Sequence, residues 1–296
     1  MNKHNHLKLL FIINPDSGNN TTNFPEAIQK YFNSLPHVIE LYDLPQTNGA
    51  EKIKEKINET CPDRVIAVGG DGTVKLVAES LLKTDIPLGI LPAGSSNGMA
   101  KELGISIAAE EALDTIMKGQ QKKIHLININ NELCIHLSDI GFNAFLVKKF
   151  ETQEKRGMWS YIKAAWKVLG SNPLMQVSIQ FDNEYIRREA AMVVIANATS
   201  YGTGVLINPA GKLDDDLFEV VIVKKISPGE IFKMRFTHTH YNPSKTELLQ
   251  TRSLKIESKH KVHFQVDGEY LGKVNSIAAS ILPAALPVIV PREENK

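Results

Sequence analysis

Two hydrophobic rhythms divide this chain. Up to about residue 120, short and nearly unbroken apolar runs alternate with helical stretches. Leu7 to Ile13 is one such run, ended by Asn14-Pro15-Asp16-Ser17-Gly18, and Arg64 to Val68 is another, closing on Gly69-Gly70-Asp71-Gly72-Thr73. Runs without alternation mark strands buried on both faces, as in a parallel sheet. Further strands are expected at Val38 to Tyr42 and Pro87 to Leu91, with helices at Pro25 to Phe32, Ala50 to Glu59 and Val74 to Leu82. Pro92-Ala93-Gly94-Ser95-Ser96-Asn97 turns into one more helix. The alternation predicts a doubly wound α/β domain, whose ligands sit at the carboxyl ends of the strands.

Beyond Lys122 the rhythm changes to alternation with a period of two. Lys123 to Ile129 and Leu133 to Leu137 flank Asn130-Asn131, and Val177 to Phe181 and Tyr185 to Ile195 flank Asp182-Asn183. Both read as hairpins. Later strands are expected at Leu217 to Val223, Leu254 to Ser258, Lys261 to Val266 and Ser276 to Leu282, with helices near 144–170 and 228–240. The expected division is 1–122 for the α/β domain and 123–296 for a β-rich, sandwich-like domain, the last residues packing back on the first domain. Ile277 to Val290 is apolar but carries Pro283 and Pro287, so it reads as strands and turns instead of a membrane span. Leu9 to Ile13 is too short for a signal peptide core. Membrane contact, where it occurs, is expected to be peripheral.

Composition narrows the classes. At about 150 residues per domain, 296 residues suit two domains, and 43 % hydrophobic with 23 % charged residues excludes disorder. Lys and Arg number 34 against 33 Asp and Glu, a formal charge of +1, which argues against a nucleic-acid partner. Cys61 and Cys134 are isolated, which fits a cytoplasmic protein.

The candidate chemistry lies in the turns that follow the buried strands. Gly69-Gly70-Asp71-Gly72-Thr73 removes side chains where a partner must come close and leaves amides pointing outward at a helix start, a setting for phosphate. Asp71 repels phosphate unless a cation lies between them, so it implies Mg²⁺ on a nucleotide, a carboxylate facing a substrate hydroxyl, or simply a helix cap. Gly94, Ser95 and Ser96 repeat the arrangement with uncharged donors; the alternative is ordinary capping of the next helix by Ser96 or Asn97. With Asn14 to Gly18 there are three such loops in one sheet, and a nucleotide crevice explains them better than three unrelated turns. Asp214-Asp215-Asp216 reads as a solvated turn or a metal loop, and Asp267-Gly268 as a hairpin turn followed by Glu269.

Asn14-Pro15-x-Ser17-Gly18, Gly69 to Thr73 and Pro92 to Asn97 together resemble the catalytic domain of the diacylglycerol and sphingosine kinase superfamily, including bacterial lipid kinases of the YegS and DgkB type. Gly69 to Thr73 alone also suits the NAD kinases and phosphofructokinases, which are similar in fold. The second half separates them. Asn208-Pro209-Ala210-Gly211-Lys212-Leu213-Asp214-Asp215-Asp216-Leu217 resembles the lipid-kinase segment that holds a structural Mg²⁺, and Val266-Asp267-Gly268-Glu269 resembles the late acidic motif with the general base. The resemblance implies that Asn14, Gly69, Gly70, Asp71, Gly72, Thr73, Gly94, Ser95 and Ser96 contact ATP. It implies that Asp71 serves the phosphates through Mg²⁺, that Glu269 takes the proton from a lipid hydroxyl, and that Asp215 with the carbonyls of Lys212 and Leu217 holds the second cation. Sphingosine kinases place the base on the aspartate of the glycine loop, so Asp71 competes with Glu269, and Glu269 is favoured. Three positions depart from the pattern: Lys75-Leu76 stands where Asn-Glu is usual, Gly98-Met99-Ala100-Lys101 follows Asn97, and Asp216 stands where glycine is general.

A stripe of Met158, Ile162, Ala165, Trp166 and Leu169 beside Trp159 and several lysines suits either an interfacial helix or one packed on its own sheet. Lys224, Lys225, Lys233 and Arg235 with Phe232 and Phe236 form a weaker candidate for the same role. His238 and His240 lack a third ligand nearby and are not expected to bind a metal. The reading is an ATP- and Mg²⁺-dependent lipid kinase working peripherally at a membrane surface, its reaction in a cleft between the domains. The alternatives are an NAD kinase-like enzyme for a soluble hydroxylated substrate and a catalytically silent nucleotide-binding regulator. Oligomeric state stays open, a homodimer included.

Overall fold

The computed structural model describes residues 6–17, 22–45, 47–144, 174–200, 206–209, 211–225, 242 and 244–292. The helices expected near 144–170 and 228–240, with the tryptophan stripe, His238 and His240, lie outside the described residues, apart from Ala144. The chain forms two compact units: Met1–Ile124 with Ala284–Lys296, and His125–Pro283.

In the first unit, strands and helices alternate as β1 (Lys8–Ile13), α1 (Phe24–Phe32), β2 (Val38–Asp43), α2 (Gly49–Thr60), β3 (Arg64–Gly69), α3 (Asp71–Leu81), β4 (Leu88–Pro92), α4 (Gly98–Glu102) and α5 (Ala109–Lys118). The sheet runs β2-β1-β3-β4, all parallel, and Val288 from the chain's end pairs beside Leu88. Leu9, Leu10, Phe11 and Ile12 of β1 are fully buried, as are Val65 to Ala67 of β3, because helices cover both faces. Each of these side chains larger than alanine contributes roughly 1.5–3 kcal/mol of burial. Helix α2 packs on α3, and α1 on α5. Helix α5 was not anticipated, although Ala112, Leu113 and Ile116 form its buried stripe.

The second unit is antiparallel. Its strands are β5 (Gln120–Ile129), which enters from the first unit, β6 (Glu132–Cys134), β7 (Leu137–Gly141), β8 (Met175–Phe181), β9 (Glu184–Ala190), β10 (Met192–Ala196), β11 (Phe218–Val223), β12 (Thr246–Thr251), β13 (Ser253–Val266) and β14 (Glu269–Val290). The path is β12-β11-β10-β7-β13-β14, with β8 on β13, β9 on β8, β5 on β14 and β6 on β5. Ile127, Ile140, Ile179, Val193, Val220, Ile256, Phe264 and Ile277 belong to one core.

Three expectations change. The two strands expected at Leu254 to Ser258 and Lys261 to Val266 are one strand, β13, whose register against β14 shifts between Glu257 and Val262. Tyr185 to Ile195 is two strands, β9 and β10, separated at Ala191. Ile277 to Val290 is not broken into strands and turns but is the far part of one 22-residue strand. Its irregularity is absorbed at Ala284, with φ +46°, where the strand leaves one unit for the other. The hairpin at Asn130-Asn131 is as expected: both residues have positive φ, +52° and +72°, which a two-residue primed turn requires.

Candidate active site

The glycine-rich loops of the first unit meet at the carboxyl ends of β1, β3 and β4. Asn14 follows β1, and its amide N–H donates to the Val68 carbonyl of β3 at 3.0 Å. Its Nδ2 donates to Thr73 Oγ1 at 3.1 Å, while its Oδ1 accepts the Asp16 amide at 3.0 Å. One side chain therefore ties the first loop to the start of α3. Thr73 is buried, and a Cβ on Gly69 would lie 2.2 Å from its Oγ1. Gly69 is glycine so that Thr73 can fold back over β3.

The second and third loops meet backbone to backbone at Gly70 and Gly94. A Cβ on Gly94 would lie 2.5 Å from the Cα of Gly70 and 3.0 Å from Asn97 Oδ1. Asn97 closes a small ring on Gly94, accepting its N–H at 2.9 Å and donating to its carbonyl at 2.7 Å. Asn97 stands at the N-cap position of α4 but has φ +50° and caps nothing with its side chain. The cap comes from Asp71. Its two carboxylate oxygens accept the amides of Gly98 (3.0 Å) and Met99 (2.9 Å). The capping role weighed for Asp71 is thus real, but it serves α4 and not its own helix, whose N-cap is Gly70. Loop three is held in place by loop two.

What this leaves open is informative. A Cβ on Gly72 would meet nothing within 4 Å. Ser95 is exposed and Ser96 half-buried. The first-turn amides of α3 have no partner inside the helix, and the helix dipole favours an anion there. The result is an open glycine position at a helix N-terminus, next to the loop that carries Ser95 and Ser96, which can receive a phosphate chain. Lys75, in the next turn, is buried.

In the second unit, Glu269 opens β14 directly after the turn at Asp267 (φ +51°) and Gly268 (φ +87°), and is exposed. Asp267 anchors the turn: its Oδ2 accepts the Ile135 amide at 3.0 Å, and its Oδ1 those of His136 (2.9 Å) and Leu137 (3.1 Å). Sequence reasoning treated Asp267 only as a turn signal. The three amides it holds come from a segment 130 residues away, and nothing local announces them.

In the loop implied as a cation site, Asp216 takes φ +59°, a left-handed conformation that favours glycine and that aspartate is among the residues to tolerate. Asp215 Oδ1 accepts the Leu217 amide at 3.1 Å, Lys212 is exposed, and the Leu213 carbonyl accepts the His125 amide at 2.8 Å. Beside the loop are buried polar atoms with no hydrogen-bond partner among the described residues, Asn197 Oδ1 and Asn208 Oδ1, and the buried imidazole of His125. Burial pushes the His125 imidazole below its usual value, against the pull of Asp215, Asp216 and Asp214. Burial likewise pushes the Glu219 carboxyl up, opposed by hydrogen bonds from Gln250 and Asn208. Among the described residues no three His, Cys, Asp or Glu side chains gather into a metal cage. The donor set fits a hard cation held by one carboxylate, backbone carbonyls and water. His125, Asn197, Asn208 and Glu219 were missed in the sequence. The signal available was a polar residue inside an apolar strand, as in Phe218-Glu219-Val220.

The fold is an α/β domain with a parallel sheet followed by a β-sandwich-like domain. A sequence model of the diacylglycerol kinase catalytic domain matches residues 8–129, and one of the YegS C-terminal NAD kinase beta sandwich-like domain matches residues 139–290. The chain belongs to this family of diacylglycerol kinase-like proteins. It is similar to the diacylglycerol kinase of Staphylococcus saprophyticus (26 % identity, 89 % of each chain) and that of Bacillus subtilis (25 %, 78 % of this chain and 79 % of that one). An uncharacterized protein of Synechocystis sp. is 31 % identical over 78 % of this chain, which spans only 55 % of that relative. A crystal structure of a diacylglycerol kinase from Bacillus anthracis shares the fold (TM-score 0.71, 20 % identity, 97 % of this chain and 98 % of that one). Yeast NADH kinase is a more distant structural neighbour (TM-score 0.54, 14 % identity, 99 % and 85 %). No helix among the described residues is long and apolar enough to cross a membrane.

Proposed function

We propose that this chain is an ATP-dependent lipid kinase that transfers the γ-phosphoryl group to the hydroxyl of diacylglycerol or a related lipid presented at a membrane surface. The observation that supports this reading is the meeting of the loops that carry Asn14, Gly69 to Thr73 and Gly94 at the carboxyl ends of neighbouring strands, with Gly72 left open, in a chain whose relatives are named diacylglycerol kinases. Phosphoryl transfer asks a protein mainly for positioning and charge neutralisation, with one base beside the attacking hydroxyl.

In this reading the open face of Gly72 and the amides opening α3 receive ATP phosphates, and Ser95 and Ser96 donate to their oxygens. Asp71 keeps the third loop in register through α4. Mg²⁺ would neutralise phosphate charge on the nucleotide, and a second Mg²⁺ would be held by Asp215 with the carbonyls of Lys212 and Leu217. Glu269 takes the proton from the lipid hydroxyl. It is favoured over Asp71 because both Asp71 oxygens already accept backbone amides, whereas Glu269 stands exposed on an anchored turn.

The test uses purified protein, γ-labelled ATP and Mg²⁺ with mixed micelles of diacylglycerol, monoacylglycerol, sphingosine, ceramide or phosphatidylglycerol, and NAD as a soluble acceptor. Label on one lipid and not on NAD supports the reading. Label on NAD alone replaces it with a soluble-substrate kinase. Nucleotide binding with no labelled product in any arm points to a silent regulator.

A further inference from the structure

The turn that carries Glu269 has a second anchor, which the hairpin itself does not require. In a two-residue turn the strands pair at the flanking positions, here Val266 with Glu269, and the amide of the second turn residue has no partner in the ladder. Here that amide is taken. Gly268 N–H donates to Gln265 Oε1 at 2.7 Å. Gln265 is 1 % exposed, and its Nε2 donates to Asp139 Oδ2 at 2.5 Å. The same Asp139 oxygen accepts Asn143 Nδ2 at 2.6 Å. Ser138 Oγ donates to the Gln265 carbonyl at 2.7 Å.

This chain of buried polar groups is costly. Asp139, also 1 % exposed, sits between Ser138 and Ile140 on β7, and Gln265 between Phe264 and Val266 on β13, where apolar side chains would pack without desolvating an amide and a carboxylate. What the network gains is orientation. Asp139 Oδ2 accepts the NH₂ of Gln265, which turns the carbonyl oxygen of that amide towards Gly268. We infer that Gln265, oriented by Asp139 and Asn143, is a positioning residue for Glu269: it fixes the Gly268 peptide and through it the direction in which Glu269 leaves the turn. This rests on the reading of Glu269 as the base. Gln265 touches no substrate and acts only through Glu269.

The experiment is a double-mutant cycle with an exchange measurement beside it. Gln265→Met keeps length and packing while removing both hydrogen bonds. It is expected to lower kcat for label transfer to diacylglycerol by about 10- to 100-fold, the range for a small misplacement of a reacting group, with KM for ATP unchanged. In a Glu269→Gln background the same substitution is expected to have no further effect, because the group being positioned is gone. Asp139→Asn, which still offers one oxygen to both amides, is expected to recover at least about 10-fold of the rate lost in Asp139→Leu. Hydrogen exchange followed by mass spectrometry over residues 264–271 should accelerate about 10-fold or more in Gln265→Met as the Gly268 amide is released. An equal loss of kcat with and without Glu269 would overturn the inference and leave Gln265 a structural residue. Unchanged exchange over 264–271 would overturn it whatever the activity. If Glu269→Gln alone retained the full rate, the base assignment would fall, and the inference with it, while the exchange result would still report whether Gln265 anchors the turn.

Discussion

The contact between Gly70 and Gly94 gives the sharpest perturbation of the phosphate loops. Neither glycine has positive φ, so what excludes a side chain at position 94 is contact and not conformation. An alanine Cβ there would lie 2.5 Å from Gly70 Cα, where ordinary carbon contacts are about 3.5–4.0 Å. The two loops must part by about 1 Å, and Asn97, whose Oδ1 would lie 3.0 Å from the same Cβ, must give way as well. Overpacking of this kind costs about 1–3 kcal/mol, or about 3–10 °C in the melting midpoint. Gly94→Ala is therefore expected to melt earlier and to bind Mg-ATP more weakly. Gly72→Ala is the matched control, because its Cβ meets nothing within 4 Å. It is expected to melt no earlier than the parent, since alanine is the better helix former, yet to lose about 10-fold or more in ATP affinity, its methyl standing where phosphate should lie. Scanning calorimetry and ATP titration calorimetry on both variants check this. Unaltered ATP affinity in Gly72→Ala would refute the placement of phosphate, and an unaltered midpoint in Gly94→Ala would refute the close packing of the loops.

Three further outcomes are expected. Asp71→Ala strands the buried amides of Gly98 and Met99 and should cost about 2–4 kcal/mol, with Asp71→Asn near half of that and faster exchange over residues 97–101. Urea unfolding and exchange measure both, and unchanged exchange there would contradict the cap. Asp267→Ala releases the amides of residues 135–137 and should cost about 3–5 kcal/mol, the faster exchange confined at low denaturant to that segment and the turn it anchors. Glu247 accepts Arg188 through two bonds of 2.8 Å, and Lys224 adds to them, so its carboxyl is held below the usual value. That stabilisation is present above the unfolded pKa of about 4.5 and is lost as pH falls through the folded one. Glu247→Gln should therefore lower stability by about 1 kcal/mol at pH 7 and by nothing at the acid end, and an equal loss at both ends of a pH series of melts would count against the ion pair.

The parallel unit was legible because its strands are buried on both faces. Leu7 to Ile13 and Arg64 to Val68 could hardly be anything else, and the turns after them carry the glycines that a close approach requires. The positions of Asn14, Gly69 and Gly94 followed from the same logic. What stayed hidden is held by contacts distant in sequence. Asp71 caps a helix 27 residues on, and Asp267 binds amides 130 and more residues back, so neither leaves a local pattern. In the buried chain of Asp139, Asn143 and Gln265, Asp139 and Gln265 showed only as polar residues interrupting strands, a signal that a solvated face also gives. The prolines of β14 misled because a proline breaks a strand only where its missing N–H is needed by a neighbour. At Asp216 an aspartate occupies the left-handed region that favours glycine, φ +59°, so the residue type alone does not forbid the turn.

The central claim is that Glu269 serves phosphoryl transfer from ATP to a lipid hydroxyl. The most direct measurement is single-turnover transfer of label from γ-labelled Mg-ATP to diacylglycerol in mixed micelles, for the parent chain and Glu269→Gln at equal ATP occupancy. The account predicts labelled phosphatidic acid from the parent and a rate lower by about 10²–10⁴-fold in the variant, with ATP affinity unchanged. Equal rates in the two proteins, or label that reaches no lipid while ATP is bound, would contradict it.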